Sequence, residues 1–203
     1  MISRRNFMKA LVAGIAYNPF KKVFASKSKE SNHTEFPPTH PWERGAEEDL
    51  KGGKREFLDD KILNMYNIHT SESLNIKYYS SGVYDRNALN KINYFLRCHY
   101  TNEVKEIDIK VLDLLCNIKN IVDKDKKVYI ISGYRSAAYN EFLIRQGRNV
   151  SKNSLHLQGL AIDFSIEEVN TYELSRIARS LAAGGVGKYP EFVHIDVGRL
   201  RYW

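Results

Sequence analysis

Ser154-Leu155-His156-Leu157-Gln158-Gly159-Leu160-Ala161-Ile162-Asp163-Phe164-Ser165-Ile166 is the stretch on which the fold turns. From Leu160 the pattern reads as a strand, with Leu160, Ile162, Phe164 and Ile166 on one face and Ala161, Asp163 and Ser165 on the other. The first face is apolar and belongs in a core. Asp163 therefore leaves the core on a face lined by small residues, where a site can be built. A second segment, Phe192 to Val197, behaves alike: Val193, Ile195 and Val197 look to the core, while Phe192, His194 and Asp196 share the opposite face. Asp163 and His194 thus sit on the non-core faces of two strands that can be neighbours, and His156 stands seven residues before Asp163. Two His and one carboxylate are a donor set that catalytic zinc uses, with a fourth position kept open for water.

Each of these residues also has a plainer reading. A single His beside a strand is commonly a hydrogen-bonded side chain, and a single Asp at a strand can simply end a ladder. The His156-to-Asp163 spacing is a loose pattern taken alone. His33, His40, His69 and His99 have no comparable setting and read as structural or solvated.

Working outward, Ile62 to Ile68 and Leu74 to Tyr79 flank a polar turn and read as a β-hairpin. Asp85 is placed to cap a helix whose stripe is Ala88, Leu89, Ile92, Phe95 and Leu96. A second helix is expected from Asp108 to about Val122, with Val111, Leu114, Leu115, Ile118 and Ile121 inward. Val128 to Ile131 reads as a short buried strand, followed by the turn Ser132 to Ser136 and a helix near Ala137 to Gln146. Asn170 with Glu173 resembles a capping box and starts a helix carrying Leu174, Ile177, Ala178 and Leu181. Gly184-Gly185-Val186-Gly187 reads as the break after that helix. After the hairpin, helices come first and then mostly strands, which makes the class α+β, with a small antiparallel or mixed sheet and helices packed on it.

The chain has 203 residues and a formal net charge of +7. The charge is not a nucleic-acid signal. Arg4, Arg5, Lys9, Lys21 and Lys22 stand in the first 25 residues without an acid among them, and subtracting these five leaves +2. Residues 1–25 have the basic start, apolar stretch and small residue at Ala25 of a cleavable export signal. Ser3-Arg4-Arg5-Asn6-Phe7-Met8-Lys9 resembles a bacterial twin-arginine signal. The other reading, an amphipathic first helix of the fold, is opposed by Asn18-Pro19. The expectation is periplasmic export by the twin-arginine machinery, without stable membrane insertion of the mature form. Residues 26–60 are polar, with Pro37, Pro38, Pro41, Gly52 and Gly53, and read as a linker or arm ahead of a domain at 61–203. Cys98 and Cys116 are the only cysteines. A disulfide is permitted outside the cytoplasm, but Cys116 fits an apolar helix position and reads as a small buried hydrophobe.

Four motifs recur here in a familiar order. Ser132-Gly133-Tyr134-Arg135-Ser136 comes first, then Ser154 and His156 with Gly159, Ala161 and Asp163, then Gly184 to Gly187, then Phe192-Val193-His194 with Asp196. Together they resemble MepK (YcbK-like) murein endopeptidases, within the wider zinc D-Ala-D-Ala peptidase superfamily of hedgehog/DD-peptidase fold. The resemblance covers about residues 63–203. It implies one Zn²⁺ held by His156, Asp163 and His194, with Glu191 as general base and Arg135 steadying the carbonyl oxygen under attack. Ser154, Gln158 and Tyr134 become candidates for binding substrate or orienting His156. Peptidoglycan stem-peptide cross-links become the substrate. Strict alternation, however, puts Glu191 on the face opposite His194, so Asp196 stays open as the acid, or else as a partner of a ligand. Three other readings also stay open: a D,D- or L,D-carboxypeptidase, a wall-binding module that keeps the metal for structure, and a structural export-associated domain with no metal.

Overall fold

The structure is a computed structural model, and it describes residues 60–203. The expected export signal at 1–25, the linker up to residue 59, and with it His33 and His40, lie outside the described residues. Twelve principal elements follow in chain order: β1 (Lys61–Asn67), β2 (Ser73–Ser80), β3 (Val83–Tyr84), α1 (Arg86–Phe95), α2 (Ile109–Val122), β4 (Val128–Ser132), α3 (Ala137–Arg145), β5 (Ala161–Ile166), α4 (Thr171–Ser180), β6 (Gly185–Lys188), β7 (Val193–Asp196) and β8 (Arg201–Tyr202). A single 3₁₀ turn, Leu155–Gln158, precedes β5. The strands form one mixed sheet in the order β3-β2-β1-β4-β5-β7-β6-β8. Pairing is antiparallel except between β1 and β4 and between β6 and β8. The class expected from sequence, α+β with a mixed sheet, is the class observed.

Local chemistry sets the helix starts. Asp85 accepts from the backbone N–H of Asn87 and Ala88, Asp108 from Lys110, Ser136 from Tyr139, and Asn170 from Glu173. Each supplies an acceptor to a first-turn donor that has no partner within its helix. The core then forms on one side of the sheet. Leu63 and Met65 of β1, Val128 and Ile130 of β4, Ile162 and Phe164 of β5, Val186 of β6 and Val193 and Ile195 of β7 pack with Ile92 of α1, Leu112 and Leu115 of α2 and Leu174 of α4. Helix α3 gives that core nothing; its one buried residue is the polar Asn140. Cys98 and Cys116 are both buried free thiols, in line with the small-hydrophobe reading of Cys116.

Two expectations need correction. Ile121 was expected inward but is 54 % exposed, because the core face of α2 turns away over its last turn while the buried set runs through Leu112, Cys116 and Lys119. Residues 184–187 do more than break a helix: Gly185–Lys188 is β6, an internal strand between β7 and β8. Glycine carries no strand signal in sequence, and here the missing side chains are required by what lies across them. Strands β3 and β8, two residues each, were not foreseen.

One polar knot ties the β1–β3 end of the sheet to α2. Asp113 accepts from Lys61 Nζ at 2.7 Å, from the Tyr84 hydroxyl at 2.6 Å and from the Tyr78 hydroxyl at 3.0 Å. Tyr78 is fully buried, so without Asp113 its hydroxyl is left with only the weakly hydrogen-bonding Cys116 thiol. Asp113→Ala is expected to lower unfolding free energy by about 1–3 kcal/mol, the usual cost when a buried polar group loses its main partner. Urea denaturation checks this, and in a Tyr78→Phe background the same substitution should cost measurably less.

Candidate metal centre

The site is built by register. Asp163 of β5 stands directly opposite His194 of β7, and His194 directly opposite Gly187 of β6. Alternation had put Asp163 and His194 on non-core faces of neighbouring strands, and the pairing makes them cross-strand partners on one face. His156 reaches them from the 3₁₀ turn. Gly159 ends that turn in the left-handed conformation at φ 73°, a backbone that glycine adopts without strain, and β5 begins two residues later.

The three side chains converge closely. His194 Nδ1 lies 2.8 Å from Asp163 Oδ1, and His156 Nε2 lies 3.2 Å from both Asp163 Oδ1 and His194 Nδ1. All three are buried or nearly so, and as a group they can hold a metal ion. The far nitrogen of each ring is already engaged. His156 Nδ1 donates to the Gly133 carbonyl at 2.8 Å, an oxygen that can only accept, so its Nε2 lone pair points into the triad. His194 Nε2 donates to Asp196 Oδ2 at 3.1 Å, which turns Nδ1 toward Asp163. A His whose second nitrogen is fixed in this way is oriented as metal-binding His residues are.

Asp196 is committed to that role. Its Oδ1 accepts from the Gly185 and Gly198 N–H groups and its Oδ2 from Arg201, and the side chain is fully buried. The structure therefore places Asp196 behind His194, with no free oxygen toward the triad. Glu191 is placed differently. Strand β7 starts only at Val193, so Glu191 lies in the turn from β6, where alternation does not apply. The turn is closed by the Tyr189 N–H donating to the Phe192 carbonyl at 3.0 Å. Among the described residues, the exposed Glu191 carboxylate has neither hydrogen-bond nor ion-pair partner.

Arg135 comes from the turn after β4. Its Nη2 is 3.5 Å from Asp163 Oδ2 and 3.4 Å from Ser132 Oγ, and its Nη1 is 3.4 Å from Asn140 Oδ1. These contacts are long, and the buried Nε has no acceptor at all. A guanidinium whose Nη groups are held only by such long contacts is suited to an incoming oxygen. Asn140, which sequence reading passed over, is held in turn by the Ser151 carbonyl at 3.0 Å. Its only sequence signal is a polar residue in the first turn of α3. Ser154 heads the 3₁₀ turn without a capping bond, and Gln158 is exposed at its end. Tyr134 is not brought to the triad: its ring packs toward the core and Lys105, whose Nζ is 6.0 Å from the centroid. His69 and His99 stack on each other at 4.0 Å, and His99 also meets Tyr139 edge-on and feels the charge of Arg135. Burial is the main reason that His99 falls to about 4.

Electrostatically the triad holds one proton between carboxylates. Burial keeps His156 below the usual histidine range. Burial also opposes charge on His194, but the Asp163 and Asp196 carboxylates outweigh it and raise His194 to about 9. Asp163 lies well below the usual carboxylate range, since its two His neighbours overcome the burial that would raise it. At neutral pH without metal, His194 is the charged imidazole and Asp163 is ionised.

The glycines of β6 complete the site. A Cβ on Gly185 would lie 2.3 Å from Asp196 Oδ2, and one on Gly187 would lie 2.5 Å from Trp203 Cε2. Strand β6 is thus bare on the ligand face, and Asp196 meets Arg201, and His194 meets Trp203, across it. Glycines two apart were the available signal for a strand stripped on one face.

Comparison with known proteins agrees with this site. Residues 56–203 match the family described as peptidoglycan L,D-endopeptidase MepK. The chain is 39 % identical over 145 residues to the peptidoglycan L,D-endopeptidase MepK of Escherichia coli K12, covering 70 % of this chain and 80 % of that protein. The protein of the same name from Shigella flexneri matches to the same extent. A probable peptidoglycan L,D-endopeptidase MepK from Haemophilus influenzae is 38 % identical over 146 residues, covering 70 % of this chain and 78 % of its own. With all of the described residues inside the family match, the chain belongs to the MepK family of peptidoglycan peptidases.

Proposed function

We propose that this protein is a zinc metallopeptidase that hydrolyses amide bonds in peptidoglycan stem-peptide cross-links. The observation that carries the reading is the triangle of His156 Nε2, Asp163 Oδ1 and His194 Nδ1. Bonds of about 2.0–2.1 Å at tetrahedral angles set ligand atoms roughly 3.3 Å apart. The three separations here are 3.2, 3.2 and 2.8 Å. Two imidazoles and one carboxylate, each His fixed from behind, are chemically suited to that ion. The names of the relatives extend the proposal to amide bonds joining an L to a D centre.

When bound, the ion supplies Lewis acidity at the scissile carbonyl and acidifies the attacking water. The protein's own residues do the rest. Glu191 takes the water's proton and passes it to the leaving amine. Support for that role is its place three residues before His194, outside the regular strand, with a carboxylate that nothing else engages. Arg135 binds the oxygen that gains charge through its Nη groups, whose contacts within the protein are long. Asp163 holds Arg135 in place through its outer oxygen. A location outside the cytoplasmic membrane belongs to the same proposal. It is supported by the twin-arginine-like leader and by the site of the polymer; no described helix is long and apolar enough to cross a membrane.

Digestion of purified cross-linked muropeptides tests this. Zinc-loaded protein is expected to convert dimers to monomers, and a chelator to stop it. Release of a terminal residue alone would instead mean a carboxypeptidase, and intact dimers after long incubation would overturn the proposal. Arg135→Ala is expected to lower kcat by about 10²–10³, with zinc content unchanged by elemental analysis. Glu191→Ala should lose at least about 10² in rate, again with full zinc.

The proton on His194 makes zinc affinity depend on pH. Ligation at Nδ1 requires that proton to leave, and the group holds it up to about 9. Apparent affinity should therefore rise by about tenfold per pH unit from 6 to 8, with one proton released per ion. Competition against a chromophoric chelator measures this; a flat profile would show that His194 is already neutral.

A further inference from the structure

A single cross-strand row runs through the ligand face. Ser132 pairs with Asp163, Asp163 with His194, and His194 with Gly187. Trp203 extends the row beyond Gly187, because its N–H donates to the Val186 carbonyl at 3.2 Å and its carbonyl accepts from the Lys188 N–H at 3.0 Å. Side chains along such a row share one face. Arg135 bears on the Ser132–Asp163 end, and Trp203 stands at the other.

Trp203 is held in place with care. Its indole lies over Gly187, where a Cβ would come within 2.7 Å of three ring atoms. Its Nε1 donates to the Tyr189 hydroxyl at 3.0 Å, and the Arg201 guanidinium stands 5.1 Å from the ring. The ring centroid is 5.3 Å from that of the His194 imidazole. Despite these anchors, 46 % of the residue is exposed. A large rigid aromatic surface, braced on several sides and left open next to the proposed ligands, has the character of a recognition surface rather than of core filling.

We propose that Trp203 is a specificity-determining residue, whose indole takes the aliphatic part of a stem-peptide residue beside the scissile amide. The inference rests on the peptidase reading of the triad. An extended peptide advances about 3.3–3.5 Å per residue. A surface 5.3 Å from the His194 ring is therefore met by the first or second residue on that side of the bond. The row has two unlike ends. Arg135 offers a carbonyl or carboxylate oxygen a guanidinium whose Nη contacts within the protein are long, whereas Trp203 offers an apolar face. A substrate crossing the ligands is sorted by that polarity.

Two measurements on the full chain test this. In the first, zinc-loaded Trp203→Ala and Trp203→Phe are compared with wild type on cross-linked muropeptides. Burial of about half an indole supports an increase in KM of roughly tenfold for Trp203→Ala, with kcat and zinc content close to wild type and partial recovery in Trp203→Phe. A role confined to bracing β8 and His194 would lower kcat or zinc content and leave KM unmoved, which would overturn the proposal. The second measurement does not need turnover. The chain has two tryptophans, so in Trp42→Phe the emission comes from Trp203 alone. With Glu191→Ala added to prevent cleavage, titration with purified muropeptide dimer is expected to shift that emission to shorter wavelength and to saturate. Emission that stays constant while wild type cleaves the same dimer overturns the Trp203 role and leaves the peptidase reading standing. A saturable shift with a wild type that never cleaves supports the Trp203 contact and defeats the peptidase reading.

Discussion

The cross-strand pairing of Asp163 with His194 is the constraint on which the rest depends. Strand register has a period of two, so a slip of one residue between β5 and β7 would send one of these side chains into the core. The core itself enforces the register. Ile162, Phe164, Val193 and Ile195 are fully buried on the opposite face, and moving them outward would expose four large apolar side chains at once. The hydrophobic side of the sheet therefore specifies the chemistry of the polar side. Ligand geometry on a rigid sheet is more exact than geometry on loops, and of the three proposed metal ligands only His156 arrives from outside the sheet.

His156 arrives by a route that is also specified. The Gly133 carbonyl takes its Nδ1, and the Arg135 N–H donates to the His156 carbonyl at 3.1 Å. The turn after β4 thus grips both the ring and the backbone of the third proposed ligand, while it sends Arg135 toward Asp163. A short segment, residues 132–136, consequently aligns a proposed ligand with a proposed oxygen-binding group. Asp196 does the equivalent for His194 and is neutralised by Arg201 from the edge of the sheet. Each of the two buried carboxylates has a guanidinium beside it, Arg135 for Asp163 and Arg201 for Asp196, which offsets part of the cost of burying its charge.

Much of this was legible in the residues. Alternation over 160–166 and 192–197 separated core from site, because strand periodicity is local. Helix starts were legible for the same reason, as Asp85, Asp108 and Asn170 act on donors two or three residues away. What was not legible is non-local. Gly185 and Gly187 looked like a break because a glycine states only that a side chain is absent, and the reason, Asp196 and Trp203 lying across the strand, comes from other elements. Ile121 fitted the helical stripe but stands where the core has already ended. Glu191 contradicted alternation only as long as the strand pattern was carried back past Phe192, whereas β7 begins at Val193. The roles of Asn140 and of the Gly133 carbonyl depend on tertiary contacts that leave no pattern in the chain.

The sheet ends on both sides in strands of two residues, Val83–Tyr84 and Arg201–Tyr202. An edge strand carries unpaired N–H and C=O groups that can template pairing with another chain, and the number of such groups scales with its length. Two-residue edges leave almost nothing to zip against. On the other side of β2, however, β3 pairs only with Tyr79 and Ser80, and the rest of that side is kept polar by the exposed Ser73, Asn75 and Lys77. The brevity that kept β3 and β8 below the threshold of sequence reading thus blunts the outermost edges, while polar and charged side chains guard the rest of β2.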